Sequence, residues 1–343
     1  MKRRALFVVP PTGAPVSGGN RYNEGLLAQL GDDCERCDFD SLDALVLRER
    51  DGVWVDSLYF DRVLALRSRL PQQTALRLIA HSLPSLLHDA STQSRPDAER
   101  LDDPERDVLQ TTERATLTKL QGGLAPSDTM RAWLRERGAS GPIWVVEPAV
   151  ESASITRATD GPLRALMIAN LLPNKGVLPL LRALGDELRR NPGEAPFTLR
   201  IVGAHGLDEP YARACVAELA AHPVMRTDVQ LVGHLPYAML AHELAAAHVL
   251  LSASRVESFG MAIADARAAG NIVVARRGGH VDRLVSPEAG GILCDDDTEL
   301  AKGLLHLAHH PAERQRRQAA AESHRPATRT WADVAETFRA SCR

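Results

Sequence analysis

Strand-like and helix-like segments alternate regularly through the second half of this chain, and that alternation constrains the fold more than any other sequence feature. Short β-branched runs are each followed by segments with apolar residues at helical spacing. The predicted strands are 163–169, 197–203, 229–233, 248–252, 271–275 and 291–294. The predicted helices are 175–190, 208–221, 237–246, 259–269 and 298–309. The pattern predicts a doubly wound α/β domain with a parallel sheet.

The first half shows the same alternation less regularly. Its predicted strands are 5–9, 76–80, 123–125 and 143–146. Its predicted helices are 21–30, 57–70 and 127–137, the last with Ser127 as N-cap. The stretches 35–55 and 91–106 give no clear strand order. A chain of 343 residues exceeds the usual size of one core, which favours two domains.

The polar stretch 150–162 is interpreted as an interdomain linker. The predicted domains are therefore residues 1–150, completed by a final helix over 328–343, and residues 151–327. Apolar residues at helical spacing from Trp331 to Phe338 indicate that this last helix docks on one of the domains.

Charge and hydropathy exclude some classes of function. The net charge of -3 and the shortness of the basic runs 2–4 and 314–317 give no electrostatic footprint for nucleic acid, so no nucleic-acid partner is expected. The apolar stretch 5–9 is too short for a signal peptide core or a membrane span. We expect a cytoplasmic protein, with peripheral membrane association at most.

The five cysteines are an odd set scattered over the chain, which argues against a disulfide framework. Cys34 and Cys37 form a CxxC, but no second pair lies at zinc-binding spacing and no helix-start pattern follows. Free thiols are the favoured interpretation over a metal or redox site.

Three loops of the second half are expected to meet at the carboxyl edge of its sheet, where open α/β sheets bind ligands. The first, 169–176, places Lys175 at a helix start, where its charge opposes the helix dipole. An anion beside Lys175 would explain that position, and a solvent-facing lysine is the alternative. The third, 276–280, contains Gly278-Gly279, which suits either an anion-binding turn or an ordinary one.

The second loop, 254–261, leads into a helix that contains Asp265. The amides of Phe259, Gly260 and Met261 would open that helix, and Gly260 would let a phosphate approach the backbone. Glu257 and Asp265 would project along one side of it. The alternatives are a helix-capping acid for Glu257 and an exposed helical acid for Asp265.

These segments resemble the donor-binding domain of the GT-B glycosyltransferases, specifically the retaining family 4, over roughly residues 163–312. The residues that carry the resemblance are Lys175-Gly176, Ile201-Val202-Gly203, Leu231-Val232-Gly233-His234-Leu235, Ser254-Arg255-Val256-Glu257-Ser258-Phe259-Gly260, Ala268-Ala269-Gly270 and Gly278-Gly279. A thinner likeness upstream involves Ser17-Gly18-Gly19-Asn20, His81-Ser82 and Pro148-Ala149-Val150. The resemblance implies two Rossmann-like domains facing a central cleft, with a C-terminal helix crossing back to the first.

The resemblance also implies a function: transfer of a hexose from a nucleotide diphosphate sugar, with retention and without a metal or other cofactor. The acceptor would bind the first domain and is a sugar, a lipid-linked molecule or a small molecule. The implied catalytic residues are Glu257, Lys175 and His81. The implied donor-binding residues are Gly18, Gly19, Asn170, Gly233, Leu235, Phe259, Gly260, Met261 and Asp265.

Asn170 stands where the family commonly has an arginine, and Arg255 or Arg276 is our hypothesis for the missing charge. The run 295–297 resembles a metal-binding DxD motif, but its position predicts a helix cap. His306, His309 and His310 share helical spacing without a carboxylate, which indicates surface residues rather than a metal site.

Other functions remain open at this point. A degenerate, non-catalytic subunit that binds a nucleotide sugar or a partner protein would explain Asn170 and the weaker first half. A nicotinamide dehydrogenase is disfavoured, because no GxGxxG follows a first strand. A sugar phosphorylase would need a Schiff-base lysine and a much longer chain.

Overall fold

The computed structural model describes residues 5–13, 17–42, 52–94, 103–150, 161–191 and 197–342. Within these residues the chain forms two compact units. Unit 1 takes its residues from 1–89, 99–149 and 329–343, and unit 2 from 90–98 and 150–328. Most of the predicted linker, and the basic run 2–4, lie outside the described residues.

The described residues form strands and helices that alternate along most of the chain. The strands are β1 Ala5–Val8, β2 Cys34–Cys37, β3 Gly52–Asp56, β4 Ala75–Ile79, β5 Gly123–Ala125, β6 Ile143–Val145, β7 Leu163–Ile168, β8 Phe197–Val202, β9 Val229–Gly233, β10 Val249–Ser252, β11 Ile272–Arg276 and β12 Ile292–Cys294. The helices are α1 Gly18–Leu30, α2 Val63–Arg69, α3 Pro84–Thr92, α4 Pro104–Leu117, α5 Asp128–Glu136, α6 Val177–Arg190, α7 Glu209–Ala221, α8 Pro223–Asp228, α9 Tyr237–Ala246, α10 Met261–Ala268, α11 Val281–Leu284, α12 Asp297–His309, α13 Pro311–Ser323 and α14 Trp331–Ser341.

Unit 1 contains a parallel sheet in the order β2-β1-β3-β4-β5-β6. Strand β3 shows how apolar side chains cover both faces of this sheet. Val53 and Val55 point into one apolar cluster, and Trp54, 1% exposed, points into the other. The order reverses direction between β1 and β3, which places this sheet's topological switch point there.

Helix α14 belongs to unit 1 although it comes from the end of the described chain. It begins with a capping box, in which Thr330 and Asp333 bond each other's backbone amides. Its apolar stripe, including Val334 and Phe338, joins the cluster around Trp54. The prediction that a final helix docks through this stripe is therefore confirmed.

Unit 2 contains a parallel sheet in the order β12-β11-β10-β7-β8-β9. Helices α6, α7 and α12 cover one face with a cluster that is rich in leucine. Helices α9, α10 and α11 contribute to the cluster on the other face. The order reverses between β7 and β10, so the loops after these strands flank the switch point. The predicted doubly wound fold is confirmed.

The predicted strands are present with ends shifted by a residue at most, but two strands lie in the stretch 35–55, which gave no clear order. β2 has the sequence Cys-Glu-Arg-Cys and lies at the edge of the sheet. Its two charged residues leave no apolar pattern that would predict a strand. β3 is short, and its burial on both faces removes the alternation that marks a half-buried strand. Helices α3, α4, α8, α11 and α13 were also not predicted.

Helices α1, α2, α6, α10 and α14 begin two or more residues from their predicted starts, and two of them show the local reason. The segment 57–70 is a 3-10 turn over Ser57–Arg62 followed by α2, because Tyr59 leaves helical geometry. The helix expected from 259 begins at Met261, because Gly260 is left-handed at φ 91° and acts as N-cap. The predicted N-cap of α5 is confirmed, since the Ser127 hydroxyl accepts a hydrogen bond from Met130 N.

Cys34 and Cys37 are the first and last residues of β2, and they contribute to clusters on opposite faces of the sheet. This geometry differs from that of a CxxC at a helix start. None of the helices formed by the described residues has the length and apolar character of a transmembrane segment.

Candidate active site

The loop after β7 and the loop after β10 lie back to back at the switch point of unit 2. Pro173–Lys175 forms one 3-10 turn, and Gly176 then adopts a left-handed conformation at φ 66° before α6 begins. A Cβ atom on Gly176 would lie 2.2 Å from the carbonyl oxygen of Ala253. Only glycine therefore allows these two loops to approach so closely.

This approach brings two predicted catalytic residues into contact. Lys175 Nζ lies 2.7 Å from Glu257 Oε1, across 82 positions of sequence. The two side chains are 27% and 19% exposed. Lys175 is therefore not simply a solvent-facing lysine, because an anion lies beside it, and that anion is a carboxylate of the chain itself.

The backbone of Glu257 is fixed by the third predicted loop. Glu257 forms an isolated parallel bridge with Gly279, and its carbonyl oxygen accepts a hydrogen bond from His280 N at 2.8 Å. A Cβ atom on Gly278 would lie 2.3 Å from the carbonyl oxygen of Arg255. The alternative of a helix-capping role for Glu257 is wrong, because the N-cap of α10 is Gly260.

The amino end of α10 lies just after Glu257, and its N-cap, Gly260, has no side chain that could bond its first amides. Phe259 stacks on His280, with ring centroids 5.5 Å apart, and this contact holds the turn that leads into the helix. The amides of the first helical turn, beginning at Met261, have no partner within the helix and carry the positive end of its dipole. An anion beside Lys175 would meet both charges.

Asp265 lies on α10 and is 2% exposed. The alternative of an exposed helical acid is therefore wrong. Gly233 and Leu235 lie further from the switch point, since β9 is two strands away from β7 in the sheet. Gly233 ends β9 at φ 84°, and Leu235 packs against the cluster beneath α10.

Asn170 connects two neighbouring loops. Its Oδ1 accepts a hydrogen bond from Ala204 N at 2.8 Å, which ties the end of β7 to the loop after β8. This bond gives the asparagine a structural role at the position where the resemblance implies a donor-binding residue.

Arg255, one of the two candidates for the missing charge, is paired within unit 2. Its guanidinium is 2% exposed, and it makes two hydrogen bonds to Asp297, at 2.7 and 2.8 Å, and one to Ser94 Oγ at 3.0 Å. Arg276 Nη1 lies 3.3 Å from the same carboxylate. Burial is the main cause that lowers the pKa of Arg276, and the positive charge of the nearby Arg255 is the second. Asp297 therefore balances one of these two charges within unit 2, and Arg276 as the source of the missing charge stays a prediction.

The acidic run 295–297 is a helix start, as predicted. Asp296 is the N-cap of α12, and its side chain accepts a hydrogen bond from Glu299 N at 2.8 Å. His306, His309 and His310 are exposed, which confirms the surface interpretation. No cluster of three or more metal-ligating side chains occurs among the described residues.

Unit 1 has its own polar cluster at the carboxyl edge of its sheet. His81 follows β4, and its Nε2 lies 3.0 Å from Asn23 Oδ1 of α1 and 3.6 Å from Asp56 Oδ2 at the end of β3. Gly18 begins α1, and a Cβ atom on Gly19 would lie 2.9 Å from His81 Cδ2. Glycine at position 19 thus lets α1 pack against the imidazole.

Sequence reasoning missed Asn23 and Asp56, which are 2% and 3% exposed. No spacing motif marks them, and Asp56 follows the stretch that gave no clear strand order. The signal that could have found them is a polar residue in an otherwise apolar position. Burial lowers the pKa of His81, and the carboxylate of Asp56 opposes that change.

The fold of two doubly wound parallel-sheet units is that of the GT-B class, and unit 2 places a lysine and a glycine-capped helix start at its switch point. The fold of sucrose-phosphate synthase from Thermosynechococcus elongatus is similar, at a TM-score of 0.72 and 17% identity over 99% of this chain and 98% of that one. Anabaena Alr3699/HepE in complex with UDP-glucose is also similar, at a TM-score of 0.72 and 14% identity, covering 99% of both chains.

Residues 162–310 match the family model of the glycosyl transferases group 1, and this region belongs to that family. A D-inositol 3-phosphate glycosyltransferase of Frankia alni is 32% identical over 51% of this chain and 44% of its own length. A glycogen synthase of Mycobacterium tuberculosis is 30% identical over 52% of this chain and 42% of its own length. The matches thus span less than half of these relatives. The predicted membership of the group 1, GT-B class is confirmed, whereas family 4 and the site roles stay predictions.

Proposed function

We propose that this chain is a glycosyltransferase that moves a hexose from a nucleotide diphosphate sugar to an acceptor. The observation that carries the proposal is the contact between Lys175 and Glu257 at the switch point of unit 2, beside the glycine N-cap of α10. This edge of a doubly wound sheet is where such folds bind nucleotides. A lysine and the backbone amides of a helix start there suit a diphosphate.

The proposed chemistry follows from the charges that develop during transfer. Breaking the bond between the anomeric carbon and the phosphate oxygen leaves positive character on the sugar ring and negative charge on the diphosphate. Lys175 and the first amides of α10 are fixed donors that stabilise the departing diphosphate. In this proposal Glu257 holds Lys175 in place and contacts the transferred sugar, and Asp265 binds the ribose.

The similar proteins support a nucleotide sugar as donor. The Anabaena neighbour was crystallised with UDP-glucose, and the curated relatives are named as a glycosyltransferase and a glycogen synthase. Retention of the anomeric configuration, family 4 membership and independence of a metal are parts of the proposal. The proposed acceptor is a sugar, a lipid-linked molecule or a small molecule.

The proposal is tested by calorimetry with UDP, GDP, ADP and their glucose and mannose derivatives. We expect one nucleotide series to bind and its sugar to be hydrolysed or transferred with EDTA present. The anomeric configuration of the released or transferred sugar is then read by NMR. Absence of binding by every nucleotide would contradict the proposal. Binding without turnover would support the non-catalytic alternative, and loss of turnover in EDTA would refute metal independence.

A further inference from the structure

A chain of buried polar groups leads from Asp56 to His81 in unit 1. Asp56 Oδ1 accepts a hydrogen bond from Leu58 N at 2.7 Å, at the start of the 3-10 turn. Its other oxygen, Oδ2, accepts from Asn23 Nδ2. Asn23 Oδ1 then lies 3.0 Å from His81 Nε2. Three residues that are far apart in sequence thus form one continuous line of hydrogen bonds.

The direction of every bond in this line is set by the carboxylate. An ionised carboxylate can only accept, so the Asn23 group that faces Asp56 must be its amide nitrogen. The Asn23 oxygen therefore faces the imidazole, and it requires a donor there. His81 Nε2 must then carry the proton, and Asp56 Oδ2, 3.6 Å from the same nitrogen, reinforces this requirement.

We propose that Asp56 and Asn23 hold His81 in the Nε2–H tautomer, so that its Nδ1 is a fixed hydrogen-bond acceptor for a substrate hydroxyl. Nδ1 makes no hydrogen bond with any of the described residues. The tautomer is independent of the proposed transferase function, whereas the hydroxyl ligand rests on it. Asp56 and Asn23 are positioning residues in this proposal, because they act through His81.

The surroundings keep the ring in this state. The side chain of His81 is 14% exposed, and Tyr22 packs edge-on against it with ring centroids 5.2 Å apart. Burial lowers the pKa of His81, although Asp56 opposes that shift, and the lowered pKa favours the neutral ring. A neutral ring with a fixed acceptor is suited to a sugar hydroxyl rather than to a phosphate.

The tautomer is measured directly by long-range proton–nitrogen NMR on histidine-labelled full-length protein at pH 7.5. The His81 signals are assigned by their loss in His81→Gln. We expect a protonated Nε2 and an unprotonated Nδ1. A protonated Nδ1 in the unaltered chain, or an equal mixture of the two tautomers, would overturn the proposal.

Asp56→Asn gives a sharper test, because it should reverse the line of bonds. The oxygen of the new amide remains opposite Leu58 N, so its nitrogen faces Asn23 and forces that amide to turn over. Asn23 then donates to His81 Nε2, and the proton moves to Nδ1. The matched control is Asp61→Asn, which makes the same change at an exposed position of unit 1 and should leave the tautomer unchanged. If His81 keeps its proton on Nε2 in Asp56→Asn, the proposed control of the tautomer through this line of hydrogen bonds is refuted.

Two further measurements keep the results separable. If Asp56→Asn fails to fold, Asp56→Ser keeps an N-cap oxygen for Leu58 N but removes the carboxylate that orients Asn23. This variant should give mixed tautomers, and a pure Nε2–H form in it would contradict the role of Asp56. Addition of UDP-glucose should shift the Nδ1 resonance while Nε2 stays protonated. If the sugar nucleotide binds without moving Nδ1, the hydroxyl contact is wrong. If it does not bind, only the proposed function with this donor fails, and the tautomer result stands.

Discussion

The two units have sheets of the same kind but place different chemistry at their switch points. In unit 2 the strands β7 and β10 lie side by side, and the loops after them form an ion pair between Lys175 and Glu257 that is partly open to solvent. In unit 1 the strands β1 and β3 are adjacent, and the polar groups there are a histidine, an asparagine and a buried aspartate. One edge is suited to charged groups and the other to hydroxyl groups.

This difference shows that the fold determines where a site lies, whereas the loop residues determine its chemistry. Both sheets gather loops at their carboxyl edges, because parallel strands all end on the same side. Whether that edge stabilises a diphosphate or a sugar hydroxyl depends on a few side chains and on what neutralises them. Four substitutions test whether each unit loses stability on its own and whether the two edges differ in chemistry.

The largest expected effect is on the stability of unit 2. Asp297→Ala removes the carboxylate that pairs with Arg255, whose side chain is almost fully buried. Breaking a buried pair in this way costs about 3 to 5 kcal/mol, because a charge is left uncompensated. Hydrogen exchange should show the loss in β7 and β10 and not in β1 and β3.

The control for this variant is Glu209→Ala. This substitution breaks the ion pair between Glu209 and Arg213, whose side chains are 77% and 71% exposed. The loss in folding stability should be less than about 1 kcal/mol. Equal losses in the two variants, or equal loosening of both sheets in Asp297→Ala, would contradict the view that Asp297 balances charge within unit 2 alone.

Lys175→Ala should reduce turnover by about a hundredfold or more, which corresponds to about 3 kcal/mol of transition-state stabilisation. The cation acts mainly on charge that develops as the diphosphate leaves, so kcat should fall more than donor affinity. Steady-state kinetics and calorimetry measure the two quantities. Lys302→Ala, at an exposed position of α12, is the matched control. Equal loss of kcat and affinity would indicate uniform binding instead.

Glu257→Gln keeps the size of the side chain but removes the charge that holds Lys175. We expect turnover to fall by about tenfold, equivalent to about 1.4 kcal/mol. The affinity for a nucleoside diphosphate should be kept or increased, because the lysine no longer has a competing anion. Calorimetry with the nucleotide that binds the unaltered chain checks this, with Glu209→Gln as control. Weaker binding of the diphosphate would show that Glu257 does not compete for Lys175.

The smallest expected effect is a loss of folding stability in unit 1. A Cβ atom on Gly25 would lie 2.2 Å from the ring of Trp331, so Gly25→Ala must displace α14 from α1. Overpacking costs about 1 to 3 kcal/mol, and the gain in helix propensity offsets part of it, which leaves about 1 kcal/mol. Hydrogen exchange should increase in α14 but not in unit 2. Gly206→Ala, in open space, should change neither unit.

Local signals in the sequence predicted most of the fold. Strands β5 and β9 and helix α9 lie where the pattern placed them, because apolar periodicity and turn residues are properties of adjacent positions. The edge strand β2 and the short strand β3 were missed because charge and two-sided burial removed that periodicity. Residues Lys175, Glu257 and His81 could be selected from motifs, whereas Asn23 and Asp56 could not, because no motif marks them.

The sequence by itself determined that this chain alternates strands with helices and places a lysine and an acid after two strands of the second half. Tertiary structure alone decided that these strands are neighbours, that Lys175 meets Glu257, and that Asp297 rather than a ligand balances Arg255. The physical reason is that a periodic pattern reflects one element's own surface, whereas strand order and contacts across 82 residues depend on how all elements pack together.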